Sequence, residues 1–304
     1  MASPPSSDVN TSYRNCMQLP EPVSPPTRAV LNFTHRCALN CDWCYVPFES
    51  PPARREVVLN VIDRIAALGF SHITLGGGDP FQYAFISDVA RKAHGRGLFV
   101  HIDTHGKSLL PTQANTKLLA QFVNLVGLPL DGSSADRHDT MRRSRGHFEL
   151  IRKRIEWLKV HDHRIKINTL VSAQNIDSLI ALADLVAEIS PSRWSLYQFW
   201  PLGPANRVST NHAVDDVAFL TLAHEAAERS ASKTGMDVEV VARQSRRSTY
   251  PIVDHDGFVF VHSGTSAEFL TPICSVFDAN ARETIDMVCG PERAQAATRY
   301  LSAR

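Results

Sequence analysis

Short apolar runs alternate with amphipathic segments of helical spacing between about residue 28 and residue 203. Unbroken apolar runs are typical of buried strands, whereas apolar residues at i, i+3, i+4 and i+7 are typical of helices. Because parallel strands need crossover connections, the alternation predicts parallel strands joined by helices. Six such units are present, which favours a partial, open (β/α)6 barrel over a complete eight-unit barrel. A doubly wound open sheet is the alternative.

The segments on either side of these units have a different character. Residues 1–27 are rich in Pro and Ser and lack apolar periodicity, so we expect a disordered tail in which Cys16 has no role. Residues 28–205 hold the six units. Residues 206–304 contain helical segments and short strands without that alternation. They are predicted to form a smaller C-terminal α+β region that covers the barrel.

The bulk composition argues against several classes of function. A formal net charge of +1 over 304 residues disfavours a nucleic-acid-binding protein, which usually has a basic excess. No run of about 18 apolar residues indicates a membrane span, and no secretory signal is recognisable. Six cysteines are too few for a disulfide scaffold in a chain of this length. We therefore expect a cytoplasmic protein whose clustered cysteines serve a metal or catalysis.

Three of the cysteines, Cys37, Cys41 and Cys44, follow the spacing CxxxCxxC directly after the first predicted strand. Soft thiolates suit zinc or an iron–sulfur cluster. A structural zinc site needs four ligands, and His35 could supply the fourth. Three thiolates on a four-iron cluster would instead leave one iron open, which is the arrangement of a reactive site. Packing as small apolar side chains fits less well, because polar residues interrupt the run.

With Trp43 before its last cysteine, the run resembles the CxxxCxΦC signature of the radical S-adenosylmethionine (SAM) superfamily, in which Φ is aromatic. The resemblance, to the viperin-like and SPASM-like branch, implies a partial (β/α)6 radical SAM barrel. It implies a [4Fe–4S] cluster on the three cysteines, with SAM chelated to the open iron. Reductive cleavage of SAM would give a 5′-deoxyadenosyl radical that abstracts hydrogen from a substrate. A flavodoxin or ferredoxin is the electron donor expected from the family.

Residues 74–81, TLGGGDPF, end the second predicted strand and resemble the family's GGE motif. Gly76, Gly77 and Gly78 would let backbone carbonyl groups approach the ammonium group of SAM without a Cβ in the way. Asp79 stands where the family has glutamate, so its side chain is shorter by one methylene. A tight strand-to-helix turn without a ligand is the alternative.

Polar residues at the later strand ends are further candidates, because barrel enzymes build their sites there. Asp103 and Thr104 could reach the ribose or the methionine part of SAM, and His105 resembles the Asn of the family's TNG-like ending. Asp131 is expected to be exposed at the tip of the fourth strand. Asn168 interrupts the apolar run of the fifth strand and could face the cofactor, although a hydrogen-bonding role in the core would also fit.

The segment RHDTMRRSRGHF, residues 137–148, resembles the stretch after the fourth strand in SPASM-type and viperin-like members. Arg142 or Arg143 could therefore pair with the carboxylate of SAM as a bidentate fork. A solvated, charged face is the alternative interpretation of each arginine.

Beyond the tail and the cysteine loop, the remaining cysteines are Cys274 and Cys289. A second four-iron cluster takes about four protein ligands, so we expect a single cluster. Buried free cysteines are the ordinary interpretation of both. By similarity to radical SAM epimerases, Cys274 could also return a hydrogen atom to a substrate radical, because its S–H bond is weak.

The expected substrate is a small molecule such as a sugar, a nucleoside or nucleotide, or a natural-product intermediate, with epimerisation or rearrangement as the reaction. Arginines that could hold phosphates and aromatic side chains that could line a pocket motivate this expectation: Arg142, Arg143, Arg145, Arg243, Arg246, Arg247, Tyr197, Phe199 and Trp200. One alternative is the same chemistry on a ribosomally made peptide. Another is a non-catalytic iron–sulfur or zinc protein that senses redox state or scaffolds a complex.

Overall fold

The structure, a computed structural model, describes residues 28–46, 52–246, 251–262 and 270–298, so the predicted tail lies outside the described residues. Within these ranges, ten strands form one sheet. The strands are β1 (Arg28–Thr34), β2 (His72–Gly77), β3 (Phe99–Asp103), β4 (Leu125–Pro129), β5 (Ile165–Val171), β6 (Arg193–Gln198), β7 (Asp237–Val241), β8 (Ile252–Asp254), β9 (Phe258–His262) and β10 (Leu270–Ser275). The α-helices within these ranges are α1 (Arg55–Ala67), α2 (Ile86–Gly95), α3 (Gln113–Phe122), α4 (Ala135–Arg142), α5 (His147–Val160), α6 (Leu179–Ile189), α7 (Ser209–His212), α8 (Asp216–Thr234) and α9 (Ala281–Thr298). None of these helices is long and apolar enough to cross a membrane.

The strands lie in the order β10-β9-β8-β1-β2-β3-β4-β5-β6-β7 across the sheet. β1 to β7 pair in parallel, each with the next strand along the chain. A doubly wound sheet reverses its strand order at a switch point, and β1 to β6 show no such reversal. The predicted partial barrel is therefore confirmed, and the doubly wound alternative is wrong.

The C-terminal residues extend this sheet at both edges. β7 continues the parallel run beyond β6, while β8 pairs in parallel with β1 on the opposite side. β9 and β10 then follow as antiparallel strands. The region after residue 205 has the mixed α+β content that the sequence predicts, but its strands join the barrel sheet.

The two faces of the sheet differ in polarity because successive residues of a strand point to opposite sides. On β1, Leu31 and Phe33 are fully buried in an apolar core, whereas Arg28 and Asn32 line a cavity on the inner face. The outer face packs against the helices in two apolar clusters, one around β1–β3 and one around β4–β6. On α1, the buried residues have the spacing of one helix face: Val58, Val61, Ile62 and Ile65. Burial of these apolar side chains holds the outer layer and leaves the inner face for polar groups.

Candidate active site at the carboxyl ends of the parallel strands

A cavity of about 310 Å³ opens at the carboxyl ends of the parallel strands. Its wall is formed by the loop that carries the cysteines and by the ends of β2 to β6. Most of the residues that the sequence predicts for the site line this wall: Cys37, Cys41, Trp43, Cys44, Gly76, Gly77, Gly78, Asp103, Thr104, His105, Arg142 and Asn168. Four predicted residues lie outside it: Asp79, Asp131, Arg143 and Cys274.

The cysteine loop, between β1 and α1, is braced by the end of α4. The indole Nε1 of Trp43 donates a hydrogen bond to the carbonyl oxygen of Met141 over 2.8 Å. The guanidinium carbon of Arg142 lies 4.6 Å from the centre of the Trp43 ring, and the Cys41 Sγ lies 3.8 Å from the Arg142 carbonyl oxygen. Trp43, the aromatic residue of the signature, therefore fixes the loop against α4.

Two further contacts hold the same loop from other directions. His212, a buried residue of α7, has its Nε2 3.2 Å from the Asp42 Oδ1. Lys107, after β3, reaches the carbonyl oxygen of Ala38 over 3.4 Å. Segments that follow β3, β4 and β6 thus all contact the loop, so its shape is set by the barrel as a whole.

Burial sets the protonation of the three cysteine thiols. It raises the pKa of Cys37 to about 11 and that of Cys44 to about 12. Burial also raises the pKa of Cys41, although the nearby Arg142 guanidinium acts in the opposite direction. Because metals bind the thiolate form, loading this site releases protons.

The glycine motif lets the end of β2 lie directly against the backbone that leads into the cysteine loop. A Cβ on Gly77, where φ is +111°, would lie 2.1 Å from the carbonyl oxygen of Thr34, and one on Gly78 would lie 2.0 Å from that of Arg36. Gly78 N donates to Thr34 O over 2.6 Å, and Asp79 N donates to Arg36 O over 2.7 Å. The structure thus gives the glycines a packing reason in addition to the approach to SAM that the sequence suggests.

Asp79 lies in the interior behind the cavity wall. Its carboxylate accepts hydrogen bonds from Thr104 Oγ1 at 2.6 Å, His105 N at 2.9 Å and Phe81 N at 2.9 Å. Burial raises the pKa of this carboxyl group, while the three donors lower it. Asp79 therefore joins the end of β2 to the end of β3, and its shorter side chain does not enter the cavity wall.

Asp131 is fully buried, so the expectation of an exposed residue at the tip of β4 is wrong. Its carboxylate accepts a hydrogen bond from Leu170 N at 2.8 Å and forms an ion pair with Arg142 Nε. The pair anchors the Arg142 guanidinium at the cavity wall. Arg143 is exposed, ends α4 with a φ of +50° and lies outside the wall. Of the two predicted arginines, Arg142 is therefore the one placed to meet a ligand.

Asp103 and Asn168 meet across β4. Asn168 Nδ2 donates to Asp103 Oδ1 over 2.7 Å, and His101 Nε2 lies 3.1 Å from the same oxygen. A Cβ on Gly127 would lie 2.0 Å from that oxygen, so glycine is required between them. Burial raises the pKa of Asp103, but His101, Lys166 and Asn168 together hold it below its usual range. The cavity thus carries an ionised carboxylate on β3.

The aromatic residues near the end of β6 also line the cavity. Tyr197, Phe199 and Trp200 are all in its wall, and the Arg246 guanidinium carbon lies 5.2 Å from the centre of the Trp200 ring. The other arginines considered for phosphate binding lie elsewhere: Arg145 is exposed outside the wall, Arg243 pairs with Asp216, and Arg247 lies outside the described residues.

The two C-terminal cysteines do not meet the cavity. Cys274 is half-buried on β10, opposite Val259 of β9, and packs against the apolar core. Cys289 is buried in the same core on α9. The geometry therefore gives Cys274 no contact with the cavity from which to return a hydrogen atom to a substrate.

Two histidines that the sequence analysis did not single out connect the ends of β3 and β4. Asp131 N donates to His138 Nδ1 over 3.0 Å, His138 Nε2 lies 2.8 Å from His147 Nδ1, and His147 Nε2 lies 2.7 Å from the His105 carbonyl oxygen. A backbone N–H can only donate and a carbonyl can only accept. Each ring therefore accepts at Nδ1 and donates at Nε2, which makes both rings neutral. The sequence signal that could have identified these residues is the presence of two histidines in the segment after β4.

Comparisons with known proteins agree with this geometry. The family model for the radical SAM superfamily matches residues 31–186. An AdoMet-dependent heme synthase of Methanosarcina barkeri is 26% identical over 261 residues, which cover 78% of this chain and 74% of that protein. An S-adenosylmethionine-dependent nucleotide dehydratase of Flammeovirga pacifica is 25% identical over 56% of this chain and 61% of that protein. A PqqA peptide cyclase of Ruegeria pomeroyi is 28% identical over 58% of this chain and 48% of that protein.

A solved structure shares the fold. Streptococcus suis SuiB bound to S-adenosylmethionine superposes with a TM-score of 0.66 at 13% identity, over 90% of this chain and 68% of that chain. At this level of identity the likeness concerns the fold alone. Together with the match of the family model, it confirms the predicted partial barrel.

The residues present fit the [4Fe–4S] cluster and the SAM that the family uses. Three thiols line one wall, and in the described part of the chain no three His, Cys, Asp or Glu side chains are placed to share a single metal ion. The zinc alternative thus lacks a ready set of ligands. Three buried polar atoms of the same wall lack a partner among the described residues: Asn32 Oδ1, His105 Nε2 and Asn168 Oδ1. SAM carries both donors and acceptors for such atoms.

We predict that Gly78→Ala lowers cluster loading several-fold. Its methyl group would overlap the Arg36 backbone and displace the residues that lead to Cys37. The measurement is iron and sulfide content after anaerobic reconstitution. Gly95→Ala is the matched control, because a Cβ at Gly95 meets nothing within 4 Å. Equal loading of the two variants would contradict the packing role of Gly78.

The neutral histidine pair predicts acid sensitivity. Burial lowers the pKa of His138 to about 2 and that of His147 to about 4 from 6.5. As the pH falls below 6.5, the unfolded state binds protons that the folded state does not. The free energy of unfolding should therefore fall by about 1.4 kcal/mol per pH unit for each histidine until its folded pKa is reached. Urea titrations of the metal-free protein would measure this, and a His138→Gln/His147→Gln variant as steep as the wild type would contradict it.

Proposed function

We propose, because the chain belongs to the radical SAM superfamily, that it cleaves SAM reductively and acts on a polar small molecule. The observation that carries the proposal is the convergence of the three cysteines, the glycine motif and Arg142 on one cavity. When bound, the cluster would supply the electron for reductive cleavage of SAM to methionine and a 5′-deoxyadenosyl radical, which would abstract hydrogen from the substrate. A flavodoxin or ferredoxin stays the predicted electron donor.

The chain's own residues would orient SAM. Arg142 is anchored through its Nε by Asp131 and also hydrogen-bonds the Cys41 side chain, and its guanidinium would pair with the carboxylate of SAM. Asp103 and Asn168 present oxygen atoms that suit the hydroxyl or ammonium groups of SAM. The Cys37, Cys41 and Cys44 thiolates would hold the cluster beside them. The apolar outer layer keeps these groups on rigid strand ends.

A small-molecule substrate is favoured by the polar groups that the cavity wall carries among its apolar side chains. Beyond the cysteines, the wall includes the buried Arg28 and Thr74, together with Asp103 and Tyr197. The names of two relatives, a heme synthase and a nucleotide dehydratase, also denote small-molecule chemistry.

A peptide substrate is the second candidate. It is favoured by the similarity to a PqqA peptide cyclase, which is 28% identical over 181 residues. The fold and the residues that would bind SAM are common to both proposals. The difference between them lies in what enters the cavity beside SAM.

The proposed chemistry predicts that reconstituted, dithionite-reduced protein forms 5′-deoxyadenosine from SAM under argon. Cys41→Ser should reduce the product to background, because it removes a cluster ligand. Cys274→Ser is the matched control and should keep wild-type activity, since Cys274 lies outside the cavity wall. A loaded wild-type cluster that forms no 5′-deoxyadenosine would favour the sensor or scaffold alternative.

The same assay separates the two substrate classes. An extract of the cells in which this protein naturally occurs would be treated with protease, and its low-molecular-mass fraction would be added to the assay. This fraction should stimulate 5′-deoxyadenosine formation if the substrate is a small molecule. Stimulation by the peptide fraction alone, abolished by protease, would favour the peptide candidate instead.

Arg142→Lys should weaken SAM binding by about 10- to 100-fold, because a bidentate, charge-assisted contact worth about 1.5–3 kcal/mol is lost. Equilibrium binding of labelled SAM to the reconstituted protein measures the effect. Arg143→Lys is the matched control: Arg143 adjoins Arg142 but is exposed and outside the wall. Equal affinity of the two variants would contradict the role given to Arg142.

A further inference from the structure

The hydrogen-bonded chain through His138 and His147 ends on residues that organise the two sides of the SAM site. At one end it reaches the backbone of Asp131, whose side chain orients Arg142. At the other end it reaches the carbonyl oxygen of His105, which lines the cavity. Both histidines are at most 1% exposed, so water does not compete for these bonds.

Hydrogen bonds hold both the backbone and the imidazole ring of His105. Its N–H donates to Asp79 at 2.9 Å, its carbonyl accepts from His147 at 2.7 Å, and its Nδ1 accepts from Lys107 N at 3.0 Å. Since a backbone N–H points at Nδ1, the ring proton lies on Nε2. That buried Nε2 has no partner in the described part of the chain, which leaves it for a ligand in the cavity.

Two apolar side chains in place of His138 and His147 would fill the same space, but they could not form the hydrogen bonds that link Asp131 to His105. The two imidazole rings lie edge to edge in nearly one plane, with centroids 5.0 Å apart and planes within 8° of each other, as an in-plane Nε2–H···Nδ1 hydrogen bond requires. Replacing them by apolar side chains would leave the Asp131 N–H and the His105 carbonyl buried and unpaired, which is costly. The rings also stay neutral beside Arg142, because burial first and the guanidinium second lower the pKa of His138 to about 2.

We propose that His138 and His147 are positioning residues for SAM binding: they fix the distance between Arg142, on the β4 side of the site, and His105, on the β3 side. The proposal rests on the proposed function, since it needs SAM in this cavity. The pair does not touch the ligand itself and acts through the residues at its two ends.

The test is SAM affinity, measured by equilibrium binding to reconstituted, unreduced protein, so that no turnover enters the result. His147→Leu should weaken binding about tenfold, because the two buried hydrogen bonds that join His147 to His138 and to the His105 carbonyl are lost. His147→Gln keeps an acceptor and a donor and should bind within about twofold of the wild type. His161→Leu is the matched control, because His161 is exposed and outside the cavity wall.

Iron content and melting temperature show whether each variant is folded and loaded. If His147→Leu does not fold, His147→Asn gives the same comparison, since its shorter side chain cannot reach both partners. Wild-type affinity in the folded Leu or Asn variant would overturn the proposal while leaving the proposed function intact. A loaded wild type that does not bind SAM would overturn both.

A double-mutant cycle tests whether the pair acts through Arg142. The fold-losses of His147→Leu and Arg142→Lys should combine to clearly less than their product, because both remove the same contact with the carboxylate of SAM. Multiplicative losses would mean that His147 stabilises the protein independently of Arg142, and would overturn its positioning role.

Discussion

The cavity depends on one close backbone contact, between the end of β2 and the chain that leads from β1 into the cysteine loop. Gly78 N and Asp79 N donate to the carbonyl oxygens of Thr34 and Arg36, at distances that leave no room for a Cβ on the β2 side. Asp79 then carries the connection onward, because its buried carboxylate accepts hydrogen bonds from the end of β3. One short sequence thus sets the position of the cysteines relative to two strand ends.

Arg142 makes a second connection of this kind. Its side chain pairs with Asp131 and stacks on Trp43, while its carbonyl oxygen lies 3.8 Å from the Cys41 Sγ. The residue therefore joins β4, α4 and the cysteine loop at the cavity wall. Burial makes each of these contacts stronger than it would be on the surface, and it makes the loss of one partner more costly.

The sequence predicted the parts of the structure that depend on local spacing. The cysteine run, the glycine motif and the six strand–helix units are each continuous in sequence, so their periodicity and punctuation were visible. The polar strand ends followed from the rule that barrel sites lie there, and Asp103, Thr104 and His105 do line the cavity.

What the sequence could not supply depends on contacts between distant segments. The parallel pairing of β8 with β1 joins Ile252 to Val30, and no local pattern indicates such a partner. Asp131 looked like an exposed strand tip because its partner Arg142 comes from the next helix. Asp79 resembled the glutamate of the family's motif, and the sequence could not show that its carboxylate turns toward Thr104.

The proposed site has three thiolates that would hold a [4Fe–4S] cluster and Arg142 that would bind the carboxylate of SAM beside it. Electron–nuclear double resonance of the reduced protein, with SAM isotopically labelled in its carboxylate and amino groups, tests this directly. The account predicts that both labels couple to the cluster and that the carboxylate coupling changes in Arg142→Lys. A loaded cluster that shows coupling to neither label, or a protein that takes up zinc in place of iron, would contradict it.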